Sequence, residues 1–384
     1  MTLLVSGDRV SDTLVIDRSL GEGAFAEVHR VRHEYLGWQA MKLFKRVASK
    51  EETVRMLDEA RLLSTLGHPN IVRVFDANTV RTPEGVRGFF TMEYVAGGSL
   101  ERLAAAHKSM VPRDLVAEVV TQIASGLAVA HDQDPPIVHR DVTMANVLVG
   151  YDGTGMRVRV SDFGLAKRAD PFTHLASAQG TYAFMAPEVM RNQGYSCASD
   201  VWSVGVIAYL LLTNRFPFHQ GGEEFSSFSF GRFNRSLLPP SSYNDEVDAE
   251  LDRIVLAMLE LDPQNRPATA QVLGDALRER AEAMAGAGGD LAGDSVGGPA
   301  ASAGSAGSMT SAASAKSAGS AKSAVNRPPT QRARRLAEEA LELARSPGEL
   351  DRAADLMEEA VNLSPYLRDL HLSKLTLWRR GVMM

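Results

Sequence analysis

The stretch HRDVTMANVLV, at residues 139–149, and the SDFG that follows at residues 161–164 decide the fold of this chain. The first is a polar loop between short apolar runs, and it places Asp141 close to Asn146. Asp162 stands just past a run that alternates apolar and basic residues like a strand. Buried carboxylates are costly unless they are paired or bound to a metal. Because Asp and Asn side chains supply hard oxygen ligands, the pattern predicts a site for Mg²⁺ that carries a nucleotide phosphate.

Both motifs, in this order and at this separation, resemble the catalytic loop and the metal-binding triplet of the protein kinase family. The chain adds a Gly-rich GEGAFAEV at residues 21–28, a lysine in AMK at residues 40–42 and GTYAFMAPE at residues 180–188. The resemblance covers about residues 12–280 and is to the bacterial eukaryotic-like (Hanks-type) serine/threonine kinases. It implies an α+β, two-lobed fold with a small β-rich N-lobe and a larger helical C-lobe. A flexible linker and a short all-α tail are expected to follow.

The Gly-rich stretch lies between residues 13–20, which alternate like a strand, and a second β-rich run that ends at residue 36. Glycines let backbone amides approach phosphate oxygens closely, although an ordinary hairpin is the alternative interpretation. Ala26 stands where the family has its third glycine. The resemblance implies ATP as the cofactor, with contacts from Leu20, Gly21, Glu22, Gly23, Ala24, Phe25, Ala26, Val28, Ala40, Met92, Glu93, Val95 and Leu148.

Lys42 lies inside an apolar run, residues 38–44, which predicts a strand. Glu59 falls on the apolar face of a helix predicted from Ser49 to about Leu66. A carboxylate within an apolar stripe needs a cation. The resemblance implies that Lys42 pairs with Glu59 and orients the α- and β-phosphates; the alternative is an edge-strand charge that faces water. The resemblance also implies that Asn146 and Asp162 hold Mg²⁺, with Mn²⁺ as an alternative metal.

The resemblance assigns to Asp141 the acceptance of the proton from the substrate hydroxyl. Thr143 stands where serine/threonine kinases usually carry a Lys that contacts the γ-phosphate, and Ala145 stands where tyrosine kinases usually carry an Arg. A neutral hydroxyl donates a weaker hydrogen bond than a charged group does. Two hypotheses follow: a kinase that phosphorylates protein Ser and Thr hydroxyls, including its own, in signal transduction, or a nucleotide-binding pseudokinase scaffold. The first is favoured by retention of Lys42, Glu59, Asp141, Asn146 and Asp162.

Residues 162–188 resemble the activation segment of the family, and its ending resembles the serine/threonine group. The resemblance implies that Thr181 bonds to Asp141 and shapes the acceptor site. Arg140 suggests regulation by a phosphate on this segment, because an arginine there can pair with it. The available hydroxyls are Thr173 and Ser177, for which unmodified loop polarity is the alternative. Scaffold roles fall to Asp200, which would hold the catalytic loop, and to Arg266, which would pair with Glu188.

The composition of the chain limits the kinds of partner that we expect it to bind. The chain has 384 residues and a net charge of -6, which gives no support to a nucleic-acid or membrane-surface role. Its single cysteine, Cys197, excludes an intrachain disulfide and fits a reducing, cytoplasmic location. The first ten residues lack the features of a signal peptide. The longest apolar run, residues 204–212, is too short to span a bilayer and predicts a buried helix.

The chain divides into three predicted parts: a kinase domain at residues 12–284, with its lobe boundary near residue 95, a linker at 285–331 and a helical segment at 332–384. The linker is mostly Ala, Gly and Ser and cannot bury enough apolar area to fold. The last part predicts helices at 332–346, 349–363 and 366–380, with the second resembling part of a tetratricopeptide repeat. Too few repeats are present for an independent array, which implies docking on the kinase domain, on a second copy or on a partner protein. The alternative is a plain helical hairpin. Whether the phenylalanines of residues 219–245 are core or a docking surface stays open.

Overall fold

The computed structural model describes residues 3–23, 26–45, 64–107, 110–153, 155–163, 182–219, 230–289, 330–344 and 349–364, and residues 367, 371, 374, 375 and 378. Two compact units divide the chain, Met1–Leu277 and Arg278–Met384. The first unit confirms the predicted two-lobed α+β fold, with a β-rich first lobe and a helical second lobe. Of the helices in the described ranges, none is long and apolar enough to cross a membrane.

The first lobe contains a five-stranded antiparallel sheet in the order β1-β2-β3-β5-β4. The strands are β1 (Leu14–Glu22), β2 (Ala26–His33), β3 (Gly37–Phe44), β4 (Val74–Thr82) and β5 (Gly85–Glu93). Gly37 makes the turn between β2 and β3 with a φ of 75°, a conformation that favours glycine. The strands predicted before and after the Gly-rich stretch are therefore present. The helix predicted between β3 and β4 falls mostly on residues 46–63, outside the described ranges.

An amino-terminal strap, defined as residues 3–10, covers the outer face of this sheet. Its backbone pairs with β1, because Gly7 N donates to Ile16 O and Ile16 N donates to Asp8 O, both at 2.9 Å. Leu3 and Leu4 pack there against a cluster of buried side chains: Leu14, Ile16, Val31, Met41, Leu43, Val80 and Phe89. The packed chain thus begins upstream of residue 12, where the motifs predict the start of the domain.

The second lobe is built from helices and one hairpin. Its helices are α1 (Leu100–Ala106), α2 (Arg113–His131), α3 (Pro187–Met190), α4 (Cys197–Thr213), α5 (Ala249–Met258) and α6 (Ala270–Gly289), and its hairpin joins β6 (Val147–Asp152) to β7 (Gly155–Val160). The predicted apolar face of α2 is buried through Val119, Ile123 and Leu127. Nearly every residue of α4 is buried, as the apolar run at 204–212 predicts for a central helix. Helix α6 continues to Gly289, a few residues into the predicted linker.

A tight contact connects the segment before β4 to helix α2. The Asn70 amide donates to Gln122 Oε1 at 2.8 Å and to Val158 O at 2.7 Å. A Cβ atom on Gly126 would lie only 2.6 Å from the backbone oxygen of Asn70. Glycine is therefore required at position 126, since any side chain would displace the backbone it meets.

Aromatic packing around α4 accounts for part of the phenylalanine-rich stretch. Trp202 stacks on Phe218, with ring centroids 6.1 Å apart, and meets Phe233 edge-on at 5.9 Å. The Arg266 guanidinium lies 4.8 Å above the Trp202 ring, a cation–π contact. Phe233 is thus a core residue, whereas Phe225 and Phe228 lie outside the described residues.

The second unit contains α7 (Gln331–Leu343) and α8 (Leu350–Leu363), close to two of the predicted helices. The buried face of α7 consists of Ala333, Ala337 and Ala340, while Leu336 and Leu343, which the pattern places on that face, are half-buried. Small alanines let the partner helix approach closely, which turns the longer leucines to the edge of the contact. The helix predicted at 366–380 falls mostly outside the described residues, and this structure does not test the repeat-like interpretation.

Candidate active site

Lys42 on β3 and Asp162 just after β7 form an ion pair across the cleft between the lobes. Lys42 Nζ lies 2.8 Å from Asp162 Oδ2, and exposures of 17% and 23% show that both side chains are mostly buried. Asp162 has a positive φ of 60°, which non-glycine residues adopt rarely and most often at functional sites. Glu59, the predicted partner of Lys42, lies outside the described residues.

The second oxygen of the Asp162 carboxylate is oriented for a ligand. Asp162 Oδ1 is buried and has no hydrogen-bond partner among the described residues. Such a buried acceptor is costly unless a cation or donor completes it. Nearby, Asn146 donates through Nδ2 to Asp141 O at 2.8 Å and to Asp141 Oδ2 at 3.1 Å, so its Oδ1 is the atom that could bind a cation. The donor set fits a hard cation such as Mg²⁺.

That cation would need further ligands. In the described part of the chain, no group of three or more His, Cys, Asp or Glu side chains could hold a metal ion. Mg²⁺ commonly binds through one or two protein oxygens together with phosphates and water. The pair Asp162 and Asn146 is therefore suited to a metal that arrives with a phosphate ligand.

The loop that carries Asp141 is held by Asp200 of α4, as the sequence predicts. Asp200 Oδ2 accepts from His139 N at 2.7 Å and from His131 Nε2 at 3.0 Å, and Oδ1 accepts from Arg140 N at 2.9 Å. His131 Nδ1 in turn accepts from Ala270 N at 3.2 Å, so the Nε2 of this ring carries the proton. The network supports a left-handed backbone at Arg140, whose φ is 68°. Sequence motifs did not single out His131.

His139 connects this loop to the end of β7. Its Nε2 donates to Ser161 O at 2.9 Å, and its Nδ1 accepts from Asp141 N at 3.2 Å. The ring also packs 4.5 Å from that of Phe163. Burial lowers the pKa of His139, although the carboxylates of Asp200 and Asp141 oppose that shift. The neutral ring therefore sets the position of Asp141 relative to Asp162.

Thr143 is buried beside Asp141, where the family pattern has a lysine. Both line a small cavity with residues of the loop, the 182–190 segment and α4: Arg140, Val142, Phe184, Met185, Ala186, Val189, Tyr195, Ser199, Asp200 and Ser203. Burial, followed by the charge of Asp141, raises the pKa of Tyr195 to about 12. Arg140 Nε has no hydrogen-bond partner in the described ranges, and the Arg140 guanidinium lies 5.7 Å from the centroid of the Tyr195 ring. Thr173, Ser177 and Thr181 lie outside those ranges.

The predicted nucleotide contacts line the cleft between the sheet and the β6–β7 hairpin. Ala40 and Met92 are opposite each other in the sheet and both are buried. Val28 and Leu148 are half-buried beside the same core, and Val95 is buried just past β5. Leu20 is 40% exposed at the mouth. The remaining predicted contacts are Gly21, Glu22, Gly23 and Ala26, which belong to or border the β1–β2 turn, and Ala24 and Phe25, which lie outside the described residues.

Two ion pairs near this cleft were not predicted from the sequence motifs. Glu93 Oε1, at the end of β5, lies 2.9 Å from Arg159 Nε on β7. Glu22, in the Gly-rich turn, pairs with Lys45 at 2.5 Å, and this contact lowers the pKa of the Glu22 carboxyl. The alternation of basic and apolar residues at 156–160 indicates that the Arg159 side chain points away from the core, but it does not identify Glu93 as the partner.

Glu188 and Arg266, which the resemblance to the family implies should pair, form a buried bidentate salt bridge. Arg266 Nη1 and Nη2 donate to the two Glu188 carboxylate oxygens at 2.7 and 2.8 Å. Bidentate pairs of this kind are strong and fix orientation. The pair joins the segment that follows Tyr182 to the helical lobe.

Comparisons with known proteins agree with this geometry. A family model described as "Protein kinase domain" matches residues 14–277. Serine/threonine-protein kinase PknB of Mycobacterium tuberculosis is 30% identical over 274 residues, which are 70% of this chain and 42% of that protein. Serine/threonine-protein kinase Pkn1 of Myxococcus xanthus is 34% identical over 268 residues, 68% of this chain and 37% of that protein. The chain thus spans about two fifths of the length of these relatives.

A solved structure gives the same picture. The crystal structure of a point mutant of the Mycobacterium tuberculosis PknI kinase domain superimposes with a TM-score of 0.55 and 25% sequence identity. The match covers 73% of this chain and 100% of that one. The part that superimposes is thus a whole kinase domain in that structure.

Proposed function

Because this chain belongs to the protein kinase family, we propose that it is an active serine/threonine kinase, which transfers the γ-phosphoryl group of ATP to Ser and Thr hydroxyls of proteins, including its own. One observation carries the proposal: Lys42 and Asp162 are paired across the cleft, and Asp162 Oδ1 is left without a partner among the described residues. A buried acceptor without a donor is costly, and a metal that carries the phosphates of ATP would complete it.

Each residue has a distinct part in the transfer. Lys42 would contact the α- and β-phosphates, and Asp162 and Asn146 would hold Mg²⁺, or Mn²⁺ in its place. When bound there, the metal would supply positive charge to the phosphate oxygens. Asp141 takes the proton from the acceptor hydroxyl while the hydroxyl oxygen forms a bond to the γ-phosphorus. The bond between the γ-phosphorus and the β,γ-bridging oxygen breaks, and ADP is released. The Asn146 amide, 3.1 Å from Asp141 Oδ2, orients the carboxylate for this proton transfer.

The adenine is proposed to lie in the apolar part of the cleft. Val28 and Ala40 cover one face and Leu148 the other, while the backbone at Glu93 and Val95 contacts the edge of the purine. Adenine sites are mostly apolar with a few polar groups, and these residues match that description. Met92, buried opposite Ala40, closes the rear of the cleft.

Regulation, location and partners are proposed on narrower grounds. The Arg140 guanidinium would bind a phosphate on Thr173 or Ser177, which would order the segment, and Thr181 would bond to Asp141. Residues 332–384 would dock on the kinase domain, on a second copy or on a partner protein, tethered by the Ala/Gly/Ser-rich stretch. Composition favours a cytoplasmic protein without nucleic-acid or membrane partners.

The test uses the purified full chain, radiolabelled ATP and Mg²⁺, with phosphorylated residues located by peptide mapping. We expect label on Ser or Thr residues of the chain or of a generic protein substrate, and none with Asp141→Asn. Binding of ATP is measured for both proteins. If the parent binds ATP but transfers no label, the kinase proposal is refuted and the pseudokinase scaffold takes its place.

A further inference from the structure

A carboxylate is buried on the outer face of the sheet, outside the site described above. Glu27 on β2 is 1% exposed. Both of its oxygens accept from Leu3 N, at 2.9 and 3.1 Å, and Oε2 also contacts His29 Nε2 at 3.0 Å. Leu3 belongs to the strap, so the strap supplies the backbone donor that this carboxylate needs.

The contact between the strap and Glu27 combines hydrogen bonds with apolar burial. A buried carboxylate is costly unless it is hydrogen-bonded, and the Leu3 amide and the His29 ring meet that requirement. His29 is also 1% exposed, and its Nδ1 has no hydrogen-bond partner among the described residues. Release of the strap would hydrate Glu27 and His29, while it would expose the apolar cluster that Leu3 and Leu4 cover. The hydrogen bonds to Glu27 and the burial of Leu3 and Leu4 therefore both act to keep the strap docked.

Strand β2 connects this outer cluster to the nucleotide cleft. Successive side chains of a strand point to opposite faces. Glu27 faces the strap, whereas its neighbours Ala26 and Val28 belong to the inner core beneath the sheet. Gly23 N donates to Ala26 O at 2.8 Å and closes the Gly-rich turn one residue before Glu27. Glu27 thus lies on the outer face of the strand whose inner face carries Ala26 and Val28 of the cleft.

We propose that the strap holds strand β2, and with it Ala26 and Val28 of the cleft, in the position that binds ATP, with Glu27 as the positioning residue. When the strap is docked, β2 is fixed from its outer face and Val28 stays in the place proposed for its contact with adenine. When the strap is released, β2 samples other positions, and the apparent affinity for ATP falls with the fraction of molecules that remain competent. The chemical step is unaffected once ATP is bound, because Glu27 touches neither ATP nor the acceptor. The predicted effect on turnover rests on the proposed kinase function, but the predicted effect on ATP binding does not.

The experiment compares three variants of the full chain. Glu27→Gln weakens the contact from β2, and Leu3→Asp weakens it from the strap. Glu34→Gln, the same chemical change on an exposed residue of the β2–β3 turn, is the matched control. For each protein the dissociation constant of Mg-ATP is measured by calorimetry, KM and kcat by label transfer, and the melting transition by circular dichroism.

We expect Glu27→Gln and Leu3→Asp each to raise the dissociation constant and KM by about fivefold while kcat stays within about twofold of the parent. Their effects should not add in the double variant, because both weaken the same contact between the strap and β2. Glu34→Gln should match the parent. A protein in which this contact only stabilises the fold would lose melting temperature without this division between KM and kcat.

An unchanged dissociation constant in either variant, or an equal rise in Glu34→Gln, would overturn the proposal. If Leu3→Asp does not melt cooperatively, Leu3→Ala is measured in its place under the same criterion. If the parent binds ATP but transfers no phosphate, the proposed function fails, yet the dissociation constants still decide the role of the strap.

Discussion

Arg159 Nε lies 2.9 Å from Glu93 Oε1, so an ion pair joins strand β7 to the last residue of strand β5. The two side chains are 15% and 31% exposed, which is less than for a typical surface pair. Partial burial reduces the screening that makes most surface pairs weak. The pair therefore connects the two lobes at the rear of the nucleotide cleft, beside the backbone proposed to contact adenine.

Removal of this pair should weaken ATP binding. We expect Arg159→Ala to raise the KM for ATP by about two- to fivefold with little change in kcat, because the connection between the lobes loosens. Arg157→Ala is the matched control, since Arg157 lies on the same strand and pairs with Asp152 within the hairpin. Steady-state kinetics over a range of ATP concentrations provide the measurement. An equal KM for the two variants would contradict the role of Arg159.

Lys42→Ala and Asp162→Asn should each abolish phosphoryl transfer. Each removes a charge that acts on the phosphates, and loss of one such group typically costs about 100-fold or more in rate. Both residues border the cleft rather than the core, so the melting transition should remain cooperative. Label transfer and circular dichroism on the same preparations test both statements. Loss of cooperative melting would show that the pair is needed for folding rather than for chemistry.

Particular residues show which features of the structure could be predicted from the sequence. The strands around the Gly-rich turn follow from local alternation, and the pairing of Arg266 with Glu188 follows from the resemblance to the kinase family. The strap could not be predicted, because the sequence of residues 3–10 alone does not indicate which surface they pack against. The pairs made by Arg159 and by His131 could not be predicted either, since each has a partner distant in sequence that only the folded chain brings near. The buried face of α7 differs from prediction because close packing of alanines outweighs the size of leucines.

Thr143→Lys should raise turnover or leave it nearly unchanged. A neutral hydroxyl contributes about 1 kcal/mol to a hydrogen bond, whereas a charged donor contributes about 1.5–3 kcal/mol. The expected gain is therefore at most roughly tenfold. Thr143 lines the same cavity as Asp141, so the new ammonium would start close to the reacting groups. Label transfer is compared with the parent, with ATP binding measured alongside. A loss of activity without a loss of binding would show that this position does not face the γ-phosphate.

Deletion of residues 285–384 should leave a folded protein that binds ATP. The compact first unit ends at Leu277, so the deleted residues lie outside it. We expect a cooperative melting transition and a dissociation constant for Mg-ATP within about twofold of the full chain. An insoluble product or lost ATP binding would mean that the helical segment is part of the domain.

Stability should depend on pH through His139. Burial lowers the pKa of this ring in the folded protein, while the unfolded chain titrates near 6.5. Below roughly pH 6.5 the unfolded state therefore binds more protons, and the free energy of unfolding falls by up to about 1.4 kcal/mol per pH unit for one group. Urea unfolding at pH 7 and pH 5 should show a smaller decline for His139→Gln than for the parent. Other buried histidines contribute equally to both proteins, so the difference isolates this ring, and identical declines would contradict the assignment.

The close approach of Gly126 to Asn70 fixes the segment before β4 against α2. A Cβ atom at position 126 would lie 2.6 Å from the Asn70 oxygen, so only glycine allows the two backbones to come this near. The Asn70 side chain also bonds to Gln122 and to the backbone of Val158, so this segment is attached to the helical lobe on both sides of the contact. A larger residue at position 126 would therefore move the chain that leads into β4 away from α2, and would disturb the junction between the lobes without touching the residues of the cleft.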